Sequence, residues 1–176
     1  MSASLPSFRA YVGLGGNLGD VRATFQDALA RLADTPGIAV ETMSSLYRTR
    51  PVDATGPDFL NAVVALQVAL GPRELLGVLQ GIELAHHRER PYRNAPRTLD
   101  LDLLWFGGVV LDRPELTLPH PRMHERAFVL APLAELMAQR PAAALAEGQN
   151  PVLPAAKDIE AYSKNQGIER LNGSNP

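Results

Sequence analysis

Asp100 and Asp102 stand two residues apart in Thr98-Leu99-Asp100-Leu101-Asp102-Leu103-Leu104-Trp105, where leucines and acids alternate. Side chains on a strand alternate faces with a period of two. As a strand, the stretch puts Leu99, Leu101, Leu103 and Trp105 on one face and Thr98, Asp100, Asp102 and Leu104 on the other. The two acids would then lie roughly 6.5–7 Å apart at their Cα atoms. A core strand does not carry two carboxylates on one face unless something cancels their charge. Hard, oxygen-seeking cations such as Mg²⁺ do so. Arg88, Arg90, Arg93 and Arg97 crowd the residues just upstream. Acids for metal beside guanidiniums for phosphate point to chemistry on a polyphosphate.

The plainer alternative is two acids on the wet face of an edge strand with arginines as surface partners. The apolar flanks argue instead for a central strand. Other site patterns are weaker. Gly13-Leu14-Gly15-Gly16-Asn17-Leu18 fails the last glycine of a dinucleotide fingerprint, and no P-loop is present, so the turn reads as a strand-to-helix connection. His120 and His124 have metal-ligand spacing, but Pro119 and Pro121 argue against a regular helix there. His120 suits a phosphate better, as a hydrogen-bond donor. His86 and His87, at a helix end, read as solvated surface or as charge at the helix C-terminus. Asn61 is the odd polar residue inside an apolar run, so its amide is either networked or reads a ligand's edge.

Several classes are excluded by composition. A net charge of −2 gives no basic field for nucleic acid, and the absence of cysteine excludes disulfides, thiolate zinc sites and thiol nucleophiles. Met1 to Phe8 lacks the basic and apolar regions of a signal peptide, and no uncharged apolar run reaches the roughly 18 residues of a membrane helix. The expectation is a cytoplasmic protein, monomeric, with no membrane or nucleic-acid partner, in one domain over residues 1–176.

The elements that must hold the acids follow from periodicity. Ala10 to Gly15 predicts a strand, and Asp20 caps a helix carrying Phe25, Ala28, Leu29 and Leu32. Ile38 to Tyr47 and Phe59 to Leu70 predict strands, and Pro72 opens a helix with Leu75, Leu76, Leu79 and Ile82 inward. The acid strand comes next, and Gly107-Gly108 turns it into a hairpin partner at Val109 to Leu111. A helix follows around Val129 to Leu136. Strand, helix, strand, strand, helix, strand is the split βαβ order of an α+β, ferredoxin-like sandwich with an antiparallel sheet. Extra C-terminal elements follow, with a helix over Asp158 to Leu171 and a tail from residue 138 that has no assigned role.

Five stretches in order resemble one family, the 6-hydroxymethyl-7,8-dihydropterin pyrophosphokinases. They are Tyr11 to Gly19, Ser45 to Thr49, Phe59 to Ala62, Pro96 to Asp102, and Leu118 to Met123 with Arg126 to Phe128, across about residues 10 to 137. The resemblance implies transfer of pyrophosphate from ATP to a pterin hydroxymethyl group, with release of AMP, in folate biosynthesis. It makes Asp100 and Asp102 ligands of two Mg²⁺ ions. Arg88 and Arg97 become catalytic phosphate contacts, and Gln80, Arg90, Arg93, His120 and Arg126 become ATP contacts. Thr49, Val52, Asn61 and Phe128 match the pterin pocket, with Phe59 as a stacking aromatic and Glu83 at the rim. The segment from His87 to Ala95 would be a lid, with Asn94 near where some members carry a tryptophan, and Arg50 stands in place of a common proline. Competing readings are an Asp-x-Asp, metal-dependent nucleotide-sugar transferase and a ferredoxin-like binding module.

Overall fold

A computed structural model describes residues 7–51, 56–86, 98–140 and 150–171. Strand β1 (Phe8–Gly16) lies at the middle of the sheet, between β4 (Phe59–Val68) and β5 (Asp100–Phe106), antiparallel to both. β2 (Ile38–Met43) and β3 (Tyr47–Thr49) pair with successive parts of β4. The order β5-β1-β4-β2, with α1 (Val21–Asp34) and α2 (Pro72–Ala85) as the two crossovers, is the ferredoxin-like α+β fold.

Local chemistry sets the element ends. The Asp20 side chain accepts a hydrogen bond from the Ala23 amide at 3.1 Å, and α1 ends where Gly37 takes φ 83°, a value a Cβ disfavours. Pro72 opens α2, where its missing N–H costs nothing. Phe59 to Val68 is a strand, as its flanking turns suggested.

Both sheet faces are covered. Ala10, Val12 and Leu14 of β1 and Ala62, Val64, Leu66 and Val68 of β4 pack with Phe25 and Leu32 of α1 and Leu75 and Leu79 of α2. Each Val, Leu or Phe side chain among them contributes about 1.5–3 kcal/mol by leaving water. The other face meets α3 (Ala127–Ala138), where Tyr11, Val63, Ala65 and Trp105 pack on Val129, Leu133 and Leu136.

Several expectations are corrected. β5 is not a central strand: among the described residues it is the edge of the main sheet and pairs with β1 alone, and its apolar residues are buried by the helices on the two faces. The strand expected over Ile38 to Tyr47 is divided into β2 and β3. Trp105 does not share a face with Leu99, Leu101 and Leu103. The register slips so that Val12 faces Leu103 and Tyr11 faces Trp105, leaving Leu104 as an extra residue on β5. That bulge turns Trp105 toward α3, 6.0 Å from the Tyr11 ring, while Phe106 joins the leucines. Next, the segment after Gly107-Gly108 is not a hairpin partner of β5. Both glycines take positive φ, and the chain continues into β6 (Leu111–Arg113), which pairs with β7 (Leu116–Leu118) in a separate ribbon. Finally, of the two readings for His86, the surface one gives way to the helix end: His86 is the C-cap of α2 and is only partly exposed, while His87 lies outside the described residues. His86 Nε2 lies 2.7 Å from Asp27 Oδ2, tying the end of α2 to α1.

The C-terminal part adds α4 (Ala156–Asn165), packed on α3, and β8 (Glu169–Arg170), which pairs with β3 and extends the main sheet. Among the described residues no helix is long and apolar enough to cross a membrane.

Candidate active site

Opposed residues on antiparallel strands share a face. Asp100 of β5 faces Gly15 of β1, Gly15 faces Asn61 of β4, and Asn61 faces Tyr47 of β3. One step along, Asp102 faces Gly13, which faces Val63, and on the other side of the first row Phe59 faces Thr49. The acids and Asn61 therefore stand on the α3 side, separated by two strand spacings, about 10 Å. Between them β1 offers only glycines. A Cβ on Gly15 would come within 3.1 Å of Asn61 Oδ1, and one on Gly13 would touch Leu104 at 3.6 Å. Leu104 fills the place over Gly13, so the bare backbone is at Gly15, between the Asp100 carboxylate on one side and the Asn61 amide on the other, and a flat or extended ligand can lie across it.

Asn61 is buried, and its Nδ2 donates to Thr49 Oγ1 at 3.3 Å, so these two expected pterin contacts are coupled. Phe59 is half-buried in the row beyond Asn61. Phe128 packs with the cluster on the same sheet face, so the two expected aromatics are on the same side of the sheet.

The bulge has a second effect at the acid end. The Leu104 carbonyl accepts from the His120 amide at 2.8 Å, which anchors the segment after β7 beside β5. His120 Nδ1 accepts from the Arg122 amide at 3.2 Å. Burial, with Arg126 and Arg122 nearby, holds the His120 pKa below the ordinary imidazole value, although the Asp102 carboxylate opposes this. The neutral ring thus keeps its proton on Nε2 and can donate a hydrogen bond. Arg126 stacks over the Phe128 ring, 5.5 Å from its centroid. His120, Asp102 and Arg126, which are far apart or irregularly spaced in sequence, are thereby brought within electrostatic reach of one another.

Gln80 is exposed on α2, and Glu83 on the same helix is buried at 4% exposure. Arg88, Arg90, Arg93, Arg97, Asn94 and Val52 lie outside the described residues, as does the expected lid from 87 to 95. Arg50 is exposed and lines a cavity of about 470 Å³ with Arg48, Asp58, Lys164 and Gln166. That cavity flanks the Thr49 and Phe59 end of the site and does not open over the acids.

Asp100 and Asp102 offer a metal two carboxylates. Among the described residues no group of three or more histidines, cysteines or acids could hold an ion alone. Two acids beside a bare glycine floor suit an ion that keeps waters and shares substrate oxygens, as Mg²⁺ does.

Some structural contributors have no clear mark in the sequence. Glu135 of α3 accepts from the Ser45 amide at 3.0 Å, Ser45 Oγ at 2.7 Å and Tyr47 Oη at 2.6 Å, fixing β3 behind the Asn61–Thr49 pair. Asn17 Nδ2 donates to the Pro57 carbonyl at 3.0 Å and holds the glycine turn against the approach to β4. Polar residues in ordinary helix or loop positions give a sequence reader no sign of such long-range bonds.

A family model for 7,8-dihydro-6-hydroxymethylpterin-pyrophosphokinase matches residues 11–138. The chain is 50% identical over 127 residues to a 2-amino-4-hydroxy-6-hydroxymethyldihydropteridine pyrophosphokinase of Synechocystis, covering 72% of this chain and 65% of that one. The Pseudomonas aeruginosa protein of the same name is 45% identical over 168 residues, covering 94% and 98%. Among solved structures, Plasmodium falciparum HPPK-DHPS with pteroate aligns at TM-score 0.56 with 15% identity, covering 77% of this chain and 40% of that one. An HPPK-DHPS in complex with substrates aligns at TM-score 0.62 with 12% identity, covering 91% and 43%. The chain therefore spans less than half of these solved chains, and their likeness bears on the fold alone.

Proposed function

The chain belongs to the 7,8-dihydro-6-hydroxymethylpterin-pyrophosphokinase family, and from that premise we propose that the row Asp100–Gly15–Asn61 carries the family's reaction here. That reaction moves pyrophosphate from ATP to the hydroxymethyl group of a dihydropterin in folate biosynthesis. The supporting observation is the glycine floor between the acids and the Asn61–Thr49 pair. It fits a planar heterocycle at one end and a polyphosphate at the other, about two strands apart.

Asn61, held by Thr49, reads the amide-like edge of the pterin, and Phe59 and Phe128 supply its aromatic contacts. The hydroxymethyl oxygen attacks the β-phosphorus and gives up its proton to water, the bond from that phosphorus to the oxygen bridging the α-phosphate breaks, and AMP leaves with that oxygen. His120 donates Nε2–H to a phosphate oxygen, and Arg126 adds a guanidinium beside it. Because its proton sits on Nε2, His120 acts as a donor and not as the base. Gln80 contacts the nucleotide from α2. Arg88, Arg90, Arg93 and Arg97 keep their phosphate roles in this proposal by sequence position alone, and Val52 its place in the pterin pocket. Asp100 and Asp102 would hold Mg²⁺, which when bound supplies charge neutralisation and acidifies the attacking alcohol. A monomer in the cytoplasm, as one domain, belongs to the same proposal.

The test is AMP formation from ATP with and without hydroxymethyl-dihydropterin. AMP that requires the pterin, stops with EDTA and returns with excess Mg²⁺ is the expected outcome. Phosphate or sugar-nucleotide products independent of pterin would overturn the proposal and favour the nucleotide-sugar transferase reading.

A further inference from the structure

The family model ends at residue 138, yet α4 and β8 reach back to the site. The main contact is at the start of α3. Its N-cap residue, Arg126, makes no side-chain cap of its own. The cap comes instead from Gln166. Its Oε1 accepts from the Ala127 amide at 2.9 Å, and its Nε2 donates to the Glu125 carbonyl at 2.9 Å. One carboxamide thus holds the backbone on both sides of Arg126, as a neighbouring strand would. Arg126 itself is extended, with φ −109° and ψ 107°, so the direction of its side chain depends on those two fixed neighbours.

Gln166 is itself held by a defined turn. Gly167 takes φ 66° after the last turn of α4. The Ile168 amide donates to the Ser163 carbonyl at 2.9 Å and the Gly167 amide to Lys164 at 3.3 Å. These are the two bonds of a Schellman C-cap, and they place Gln166 at a fixed point. Ile159 buries α4 among its neighbours, and the Leu171 amide donates to the Leu46 carbonyl at 2.9 Å, so the turn is anchored before and after.

We propose that Gln166 is a positioning residue for nucleotide binding: it clamps residues 125 and 127 so that Arg126 is aimed at the phosphates before ATP arrives. This rests on the reading of Arg126 as an ATP contact. The clamp acts through preorganisation, so it should set affinity for the nucleotide more than the fold. Phe128 is placed mainly by the packing of α3, so pterin affinity should depend on the clamp less.

Gln166→Met keeps the side chain's length and removes both bonds. In the full-length protein it should weaken a nonhydrolysable ATP analogue, measured by calorimetry, about fivefold. KM for ATP should rise in parallel and KM for pterin should change less than about twofold. The Ala127 amide should lose hydrogen-exchange protection. In an Arg126→Ala background, Gln166→Met should have no further effect on ATP affinity, since the two act as one unit. Glu160→Ala on the exposed side of α4 serves as a control at wild-type activity. Independent, multiplying effects in the double variant would overturn the proposal. So would a lowered melting temperature with ATP affinity unchanged, which is what a purely structural cap gives. Wild-type ATP affinity in Arg126→Ala alone is a different result, and it would overturn the assignment of Arg126 itself.

Discussion

The α3 side of the sheet has two ends built from the same strands. At one end, Tyr11, Val63, Ala65 and Trp105 pack against Val129, Leu133 and Leu136. At the other, the same β1, β4 and β5 carry Gly15, Asn61 and Asp100 in one cross-strand row. β1 and β4 keep one register from one end to the other, and β5 slips by one residue at Leu104, between the two ends. Beyond that slip, the difference is side-chain volume and polarity. Where the residues are large and apolar, α3 closes on the sheet. Where they are glycine, amide and carboxylate, the sheet keeps a floor with polar groups at each edge. Stability should therefore reside at the first end and activity at the second.

The largest test of that division exchanges losses between the ends. Asp100→Ala or Asp102→Ala should lower turnover on the order of a thousandfold or more while leaving the fold intact. Leu133→Ala at the apolar end should cost about 2–5 kcal/mol of stability and leave turnover per folded molecule near wild type. Denaturant melts beside steady-state rates measure both. An acid variant retaining more than a tenth of wild-type turnover would break the division.

A smaller effect is expected in the middle of the row, where the glycine floor meets Asn61. Asn61→Leu removes the donor to Thr49 and the reading amide, and should weaken pterin binding about tenfold or more while ATP binding changes little. Gly15→Ala probes the same point by volume. Its Cβ would meet Asn61 Oδ1 at 3.1 Å, so the amide must give by a few tenths of an ångström. Its effect should have the same pterin bias and be weaker. Calorimetry with each ligand reads the bias, and equal losses for pterin and nucleotide would count against an amide that reads the pterin.

Much of this comparison was legible in the residues. Alternation in Leu99 to Leu103 put both acids on one face, and the polar Asn61 within an apolar run marked the other end. What alternation could not supply was the bulge. Leu103-Leu104-Trp105-Phe106 is apolar throughout, so a period of two has no phase there, and the slip that turns Trp105 and captures His120 leaves no mark. The pairing of β6 with β7 was missed for a related reason, since a glycine turn signals reversal but not which strand receives it. Gln166 and Glu135 were invisible because their bonds span 39 and about 90 residues, and no local pattern encodes such a distance.

The smallest expected effect lies beyond the row, at the carboxylate that holds β3. Burial of Glu135 works to raise its pKa. The bonds from Tyr47 and from the Ser45 hydroxyl and amide, with Arg170 nearby, outweigh burial and hold it below the ordinary glutamate value. The unfolded chain therefore takes up this proton first as pH falls. The stabilisation is fully present above the ordinary value of 4.5 and is lost as pH drops through the lower, folded-state value. Glu135→Gln cannot titrate. It should be less stable than wild type at pH 7, on the order of 1 kcal/mol, and the two stability curves should converge on acidification below about pH 4.5. Turnover at pH 7 should fall only slightly, through a looser Thr49–Asn61 pair and hence a higher KM for pterin. Parallel curves down to pH 3 would mean that Glu135 does not supply the acid sensitivity, and that β3 is held by its pairing with β4 and β8 alone.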